Sequence, residues 1–266
     1  MSIYTADALA GDVVILTGAT GGIGTATAKT LARMGASLVL TGRDGDALAA
    51  VKQDAKSVAA GGKVATVRAD ITDDDDRRGI LDASENLGGV TILVNAAGVT
   101  DERTDFEDVT REQLTRVMNV NYTSTVLLTQ LVYERLLERT NGSIVNVSSL
   151  SGLRGVRRSI PYSASKFALT GFTQALATEA IEHGIRVNAV CPGWVDTEMA
   201  RSGIRSKAAT QGRSYEEQFE HERSNIPSNR ITEPEEVANA IAFLLTDAAE
   251  NVVGESLKLS GGSVLR

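Results

Sequence analysis

The sequence predicts an α/β fold, a single-domain Rossmann-type doubly wound parallel sheet of about seven strands with helices on both faces. Three observations lead there. Short apolar runs of strand length recur at 13–17, 37–41, 64–69, 91–95, 143–148, 186–190 and 256–260. Helical stretches at 23–34, 45–60, 74–87, 109–139, 162–183 and 234–246 alternate with them. A glycine-rich turn joins the first run to the first helical stretch. Such alternation argues for βαβ units with right-handed crossovers. At 266 residues, 42% hydrophobic and 23% charged, the chain can bury one sizeable core, so one domain over residues 1–266 is expected.

The first element is the apolar run Val13 to Leu16, read as a buried parallel strand. Thr17-Gly18-Ala-Thr20-Gly-Gly22-Ile23-Gly24 follows, and then an Ala-, Leu-, Lys- and Arg-rich helix. Strand, glycine turn and helix together form a dinucleotide site: the turn lets backbone approach a pyrophosphate, and the helix N-terminus offers free N–H groups. The bland alternative is a tight structural turn. Gly42 stands at the end of the second strand-like run, 18 residues past Gly24 and just beyond position 41. A site that selects the free 2′-hydroxyl of NAD wants a carboxylate about there. Gly42 has none, and Arg43 offers a guanidinium to the 2′-phosphate of NADP. Asp44 either neutralises Arg43 or caps the next helix. The acidic run Asp73 to Asp76 reads as a helix start, with carboxylates at the positive end of the dipole, rather than a metal site.

Helix 109–139 is apolar on more than one side, through Val117, Val120, Leu127, Leu128, Leu131, Val132, Leu136 and Leu137. One face suits the sheet, and the remainder suggests a partner helix. Farther on, Tyr162 and Lys166 are four apart and share a helix face. An ammonium beside a phenol favours the phenolate. Moving a phenol pKa from about 10 toward 7 takes roughly 4 kcal/mol of differential stabilisation. The segment from about 194 to 230 breaks the alternation: it is polar and holds Gly203, Gly212 and Pro227. It follows a strand's C-terminal end, where open α/β sheets bind ligands, and is expected to be a mobile substrate lid.

Several motifs in order carry a resemblance over about residues 11–262. They are Thr17-Gly18-x-x-x-Gly22-x-Gly24, Asn95-Ala-Ala-Gly98, Ser149, Tyr162-x-x-x-Lys166 and Pro192-Gly193. In these the chain closely resembles the short-chain dehydrogenase/reductase family. Two positions depart from the pattern: Ala96 stands where relatives more often have a second Asn, and Gly21 where many NADP-dependent relatives have a basic residue. The resemblance implies hydride transfer between a nicotinamide and a carbonyl or secondary alcohol. Tyr162 would be the proton donor or acceptor, Ser149 would hold the substrate oxygen, and Lys166 would hold the nicotinamide ribose and lower the Tyr162 pKa. Ser148 and Ser151 are the alternatives to Ser149. Asn121, with Asn119 as competitor, would hold a relay water with Lys166. Asp70 and Ile71 would meet the adenine, and Thr197 the carboxamide. Asn95, Gly98, Pro192, Gly193 and Val195 would complete the cofactor site. The arrangement around Gly42 and Arg43 implies NADP(H) as preferred cofactor, with NAD(H) the alternative. Relatives pair the long helix and the Tyr-bearing helix across a two-fold axis, so a homotetramer is expected, or else a dimer.

Ser151, Arg154, Arg157 and Arg158 lie between Ser149 and Tyr162, and Arg201, Arg205, Lys207 and Arg213 follow Pro192-Gly193. These charges either bind an anionic substrate, such as a 3-oxoacyl thioester, or face solvent and pair with glutamates such as Glu216, Glu217, Glu220 and Glu222. The nearest relatives in character are 3-oxoacyl-thioester and polyketide ketoreductases. A sugar, polyol or hydroxysteroid dehydrogenase remains open, as does a non-catalytic NAD(P)-binding sensor; an epimerase or dehydratase is disfavoured by length. Net charge −7 argues against a nucleic-acid partner. No window approaches a membrane span, and no signal peptide is recognisable. Cys191 is the single cysteine, which excludes an internal disulfide and suits the cytoplasm. Two histidines and one cysteine offer no metal cluster.

Overall fold

Val13–Thr17 is buried at every position and forms β1, the third of seven strands, in this computed structural model, which describes residues 4–101 and 103–265. Full burial explains why the run is apolar without alternation: both faces of a parallel strand are covered by helices. The chain continues through α1 (Gly22–Arg33), β2 (Ser37–Gly42), α2 (Gly45–Val58), β3 (Val64–Arg68), α3 (Asp74–Glu85) and β4 (Ile92–Asn95). The second half holds α4 (Arg111–Met118), α5 (Ser124–Arg139), β5 (Gly142–Val147), α6 (Ile160–Ala180) and β6 (Ile185–Pro192). Then come α7 (Glu198–Gln211), α8 (Tyr215–Ser224), α9 (Pro234–Leu245) and β7 (Ser256–Leu259).

The strand order is β3-β2-β1-β4-β5-β6-β7 and every pairing is parallel. The winding reverses between β1 and β4, and the loops leaving these strands diverge there, opening a crevice at their carboxyl ends. One core layer packs Leu31, Leu48, Ile241 and Leu244, from α1, α2 and α9, on Leu16 and Leu38. The opposite layer packs Ile80, Leu128, Val132 and Leu136, from α3 and α5, on Ile15 and Leu93. Among the described residues, no helix is long and apolar enough to cross a membrane.

One expectation changes, and a second stretch gains elements the sequence did not announce. The stretch 109–139 is two helices, α4 and α5, joined by one π turn at Asn119–Thr123. The sequence there has no Gly or Pro, so nothing local announces the break; an extra residue per turn rotates Asn121 into full burial. The polar stretch after Pro192, expected to be a lid, holds the two helices α7 and α8. α7 and α8 bury Ile204, Ile226 and Ile231 against Trp194, Tyr215 and Phe219. Glu222 ties this unit together: it accepts from Trp194 Nε1 at 3.0 Å, Lys207 Nζ at 2.7 Å and Gln218 Nε2 at 2.7 Å. Burial alone would raise the Glu222 carboxyl; Lys207, Gln218 and Trp194 outweigh it and hold the carboxyl below its ordinary value.

Helix ends resolve two charge questions. Asp44 accepts from the Asp46 and Ala47 amides, so it caps α2. Asp73 accepts from the Asp75 and Asp76 amides and caps α3, with three more acids in the first turn. Replacing Asp73 with Ala should lower unfolding free energy by about 1 kcal/mol in urea titration and leave turnover unchanged. A loss of metal-dependent activity instead would restore the metal reading.

Candidate active site

The cavity begins with a backbone constraint. Thr17 ends β1, and its hydroxyl accepts from the Ala96 and Ala97 amides at 3.1 Å each. Gly18 packs against that turn with φ 64; a Cβ there would sit 2.6 Å from Ala97 N. At Gly24 a Cβ would sit 2.1 Å from the Gly18 carbonyl oxygen, and at Gly22, 2.6 Å from Thr197 Cγ2. The turn therefore closes only with glycine at these places. Gly21 precedes α1 without a side-chain cap, and the first turn of α1 carries no acid. Its N–H groups face the crevice as a ready anion site, so the turn fits a dinucleotide pyrophosphate. Thr20, in the same turn, lies beside Gly42, where a Cβ would meet its side chain at 3.3 Å.

A cavity of about 590 Å³ opens beside this turn. Ile23, Gly98, Ser149, Ser151, Tyr162 and Lys166 line it, as do Pro192, Gly193, Val195 and Thr197 across from them. Ser149 begins a 3-10 turn after β5, where its Oγ accepts from Ser151 N at 3.1 Å. All three candidate serines border the cavity, but the Ser148 hydroxyl is buried and already bonded to the Lys166 carbonyl and Thr170, unlike those of Ser149 and Ser151. Thr197 accepts from Ala200 N at 3.3 Å and so also caps α7.

Tyr162 and Lys166 lie on α6, as their spacing predicts. Burial pushes the Tyr162 phenol above its ordinary value, and a hydrogen bond with Ser149 pulls it back. Lys166 points its ammonium at the Val147 carbonyl, 2.8 Å away, and lies 5.7 Å from the Tyr162 ring centroid. Burial pushes Lys166 down to about 8. The phenol thus stands protonated at neutral pH, and the pull toward phenolate comes from Ser149. Asn121 accepts from Val99 N at 2.8 Å and donates to the Val99 carbonyl and to Ser165 Oγ. Gly98 touches both groups: a Cβ there would lie 3.4 Å from Asn121 Oδ1 and 3.5 Å from Lys166 Nζ. Asn119 is exposed.

Beneath the cavity, Asn95 donates to Thr129 Oγ1 and Asn146 Oδ1, and Asn146 donates to Thr173 Oγ1. This buried chain braces β4 and β5 against α5 and α6. The residues expected to meet the adenosine sit apart from the cavity, at the ends of β2 and β3. Asp70 accepts from the Thr72 amide and hydroxyl. The Thr72 amide holds its carboxyl below the ordinary value; partial burial opposes, and the Thr72 hydroxyl and Arg43 assist. Ile71 is buried beside it. Arg43 is exposed, and its carbonyl receives the Arg68 Nε at 3.0 Å, which brings a second guanidinium to Gly42.

The cationic residues divide. Arg154 lines the cavity. Arg158 pairs with Asp105 at 3.2 Å, and Arg157 offers only its carbonyl, to Arg103. Arg201 and Arg205 pair with Asp196 and Glu198, Lys207 pairs with Glu222, and Arg213 donates to Gln218. Arg103 and Asp101 also line the cavity and were not singled out by motif. Their position, a few residues past the carboxyl end of β4, is the signal that marks them.

Known proteins are similar to this chain in sequence and fold. Residues 12–227 match the family model described as short chain dehydrogenase. An acetoacetyl-CoA reductase of Allochromatium vinosum is 35% identical, over 94% of this chain and 97% of its own. A cis-4-hydroxycyclohexanecarboxylate dehydrogenase of Sinomonas cyclohexanicum is 34% identical, over 96% and 98%. Among solved structures, a point variant of actinorhodin polyketide ketoreductase with NADPH superposes with a TM-score of 0.91 at 34% identity, over 95% of this chain and 97% of its own.

The depressed Lys166 value has a stability consequence. Folded Lys166 loses its proton near pH 8, whereas an unfolded lysine keeps it to about 10.4. Between those values the unfolded state binds more protons, so stability from this group rises with pH. Relative to Lys166→Met, the wild type should gain about 2 kcal/mol in unfolding free energy between pH 7 and 10, read by urea denaturation. A flat difference would place the ammonium in water.

Proposed function

This chain belongs to the short-chain dehydrogenase family, and from that premise we propose an NADP(H)-preferring enzyme that interconverts a carbonyl and a secondary alcohol on an anionic substrate, such as a 3-oxoacyl thioester. That the chain is an NAD(P)-dependent oxidoreductase follows from the family and its named relatives; the cofactor preference and substrate class are the added reading. The observation that carries it is the convergence of Ser149, Tyr162 and Lys166 on one cavity with the glycine-turn residue Ile23 and with Thr197.

The nicotinamide, when bound, supplies the hydride acceptor or donor. The chain supplies the rest. Gly18, Gly22 and Gly24 let the backbone reach a pyrophosphate, and Lys166, Gly98 and Thr197 border the nicotinamide end. Ser149 holds the substrate oxygen against Tyr162, and Tyr162 gives its proton to that oxygen in reduction. A phenol pushed upward by burial arrives protonated, which suits the reductive direction. The Lys166 ammonium lies close enough to steady the phenolate left behind. Asn121 holds the Val99 loop and α6 together through its side chain, which positions Gly98 and Lys166 for a relay.

Arg43 and Arg68 beside an acid-free Gly42 support NADP(H), with Asp44 engaged as a helix cap. A relative whose substrate name is a carboxylate supports an anion. Residues 194–230 would act as the substrate wall, with α7 and α8 moving together as a lid. Exposed Leu114, Leu127, Ile160 and Phe167, on α4, α5 and α6, support burial against another copy, in a homotetramer in the cytoplasm.

Tyr162→Phe should lower kcat by roughly 10²- to 10⁴-fold in a nicotinamide absorbance assay and leave cofactor affinity near wild type. Unchanged turnover would remove Tyr162 as the proton donor, and cofactor binding without turnover on any ketone would favour the sensor. Arg43→Ala should weaken NADPH by about tenfold or more by fluorescence titration and leave NADH nearly unaffected. Equal losses would make Arg43 a surface charge.

A further inference from the structure

The charges facing the cavity do not cancel. Among the described residues two acids line it, Asp101 and Glu222, and each already holds a cation. Asp101 pairs with Arg116 through Oδ1, while its buried Oδ2 meets no donor, and Glu222 is held by Lys207, Gln218 and Trp194. Nearby Asp105 is taken by Arg158. Among the described residues, that leaves two lining guanidiniums, Arg103 and Arg154, without a carboxylate. The surplus sits in a protein of net charge −7. Arg154 is exposed at the rim; Arg103 is drawn partly inside.

Arg103 is also held in place. Its Nη2 donates to the Arg157 carbonyl at 2.7 Å, which fixes one edge of the fork and leaves the other donors for a ligand. Burial pushes the guanidinium below its ordinary value, Glu222 opposes that from a distance and Arg158 adds to it. A guanidinium stays charged under such a push, so partial desolvation without a counter-ion is a standing cost that an anion relieves. Thr104 N donates to the Arg158 carbonyl, so the Arg103 loop and the loop between Ser149 and Tyr162 are stitched together.

Resting on the reading of this cavity as the carbonyl–alcohol site, we infer that Arg103, with Arg154 at the rim, binds a carboxylate carried on the substrate itself, which narrows the anion to a keto or hydroxy acid in place of a thioester. Ser149, Tyr162 and Arg103 line one cavity of about 590 Å³, which lets one small molecule present its reacting oxygen to the first two and its charge to the third. A planar fork matches a carboxylate bidentately, which fixes orientation as well as affinity. Arg103 is therefore the specificity residue, and Arg157 serves it through its carbonyl, with its own side chain outside the cavity lining.

The test is calorimetry on the enzyme saturated with oxidised nicotinamide cofactor, using cyclohexanecarboxylate and its neutral isostere cyclohexanecarboxamide. The carboxylate should bind at least about tenfold more tightly. Arg103→Met should erase that preference by weakening the carboxylate alone, and Arg103→Lys should restore part of it. Arg154→Met should reduce it less. Thermal melts confirm that each variant folds. Equal binding of the two probes to wild type, failure of the carboxylate to bind, an intact preference in Arg103→Met, or parallel loss of both probes there would each overturn the inference. Carbonyl turnover measured alongside separates the two readings. Turnover without a carboxylate preference sinks this inference alone. A carboxylate preference without turnover on 4-oxocyclohexanecarboxylate or neutral ketones sinks the catalytic reading alone.

Discussion

The site depends on how closely the ends of β1 and β4 approach where the sheet changes winding direction. One hydroxyl, on Thr17, takes two amides from the β4 loop, and a glycine next to it lets the two backbones touch. That contact holds the glycine turn on one side of the crevice and Gly98 on the other. Gly98 in turn borders Lys166 and Asn121, so the helix that carries Tyr162 and Lys166 takes its position from the same junction. A larger residue at Gly18 would push the two loops apart and move both halves of the site together.

Below this junction the protein keeps an unusual amount of polarity dry. Asn95, Asn146, Thr129 and Thr173 run through the sheet centre and bond mainly to one another. Such a chain costs desolvation that its hydrogen bonds offset, and what it adds is register: β4, β5, α5 and α6 interlock in one arrangement. Lys166 is the extreme case. It is buried, held by a carbonyl and short of a full counter-charge, which keeps its proton easy to lose. The same burial keeps the neighbouring phenol protonated. One environment thus moves the two groups toward neutrality from opposite directions.

Much of this was legible in the chain because it is written in local chemistry. Strand runs buried on both faces are continuously apolar, and each was found within a residue or two at either end. The glycine turn and the Tyr162–Lys166 spacing carry their geometry in their spacing. The missing parts lack such a signature. The π turn at Asn119–Thr123 has no breaker residue; it exists because Asn121 finds partners 22 and 44 positions away. α7 and α8 were not legible as helices because their buried face is only a few residues wide and their outer faces are polar. Charge pairing was the least legible. The cations after Pro192 chose Asp196, Glu198 and Glu222, and only the folded chain shows that Arg103 was left out.

The open end of α1 has a meaning beyond recognition. Helix starts such as those of α2 and α3 are closed by their own aspartates, but α1 begins on a glycine that offers no acceptor. A dinucleotide bound there would supply the missing cap. Binding would complete secondary structure that the polypeptide leaves unfinished, making the ligand a folding partner: at a hundred times its dissociation constant it would add about 2.7 kcal/mol to native stability. The survival of this enzyme in a cell is therefore tied to the size of the nucleotide pool, and a chain starved of cofactor is a less stable protein as well as an idle one.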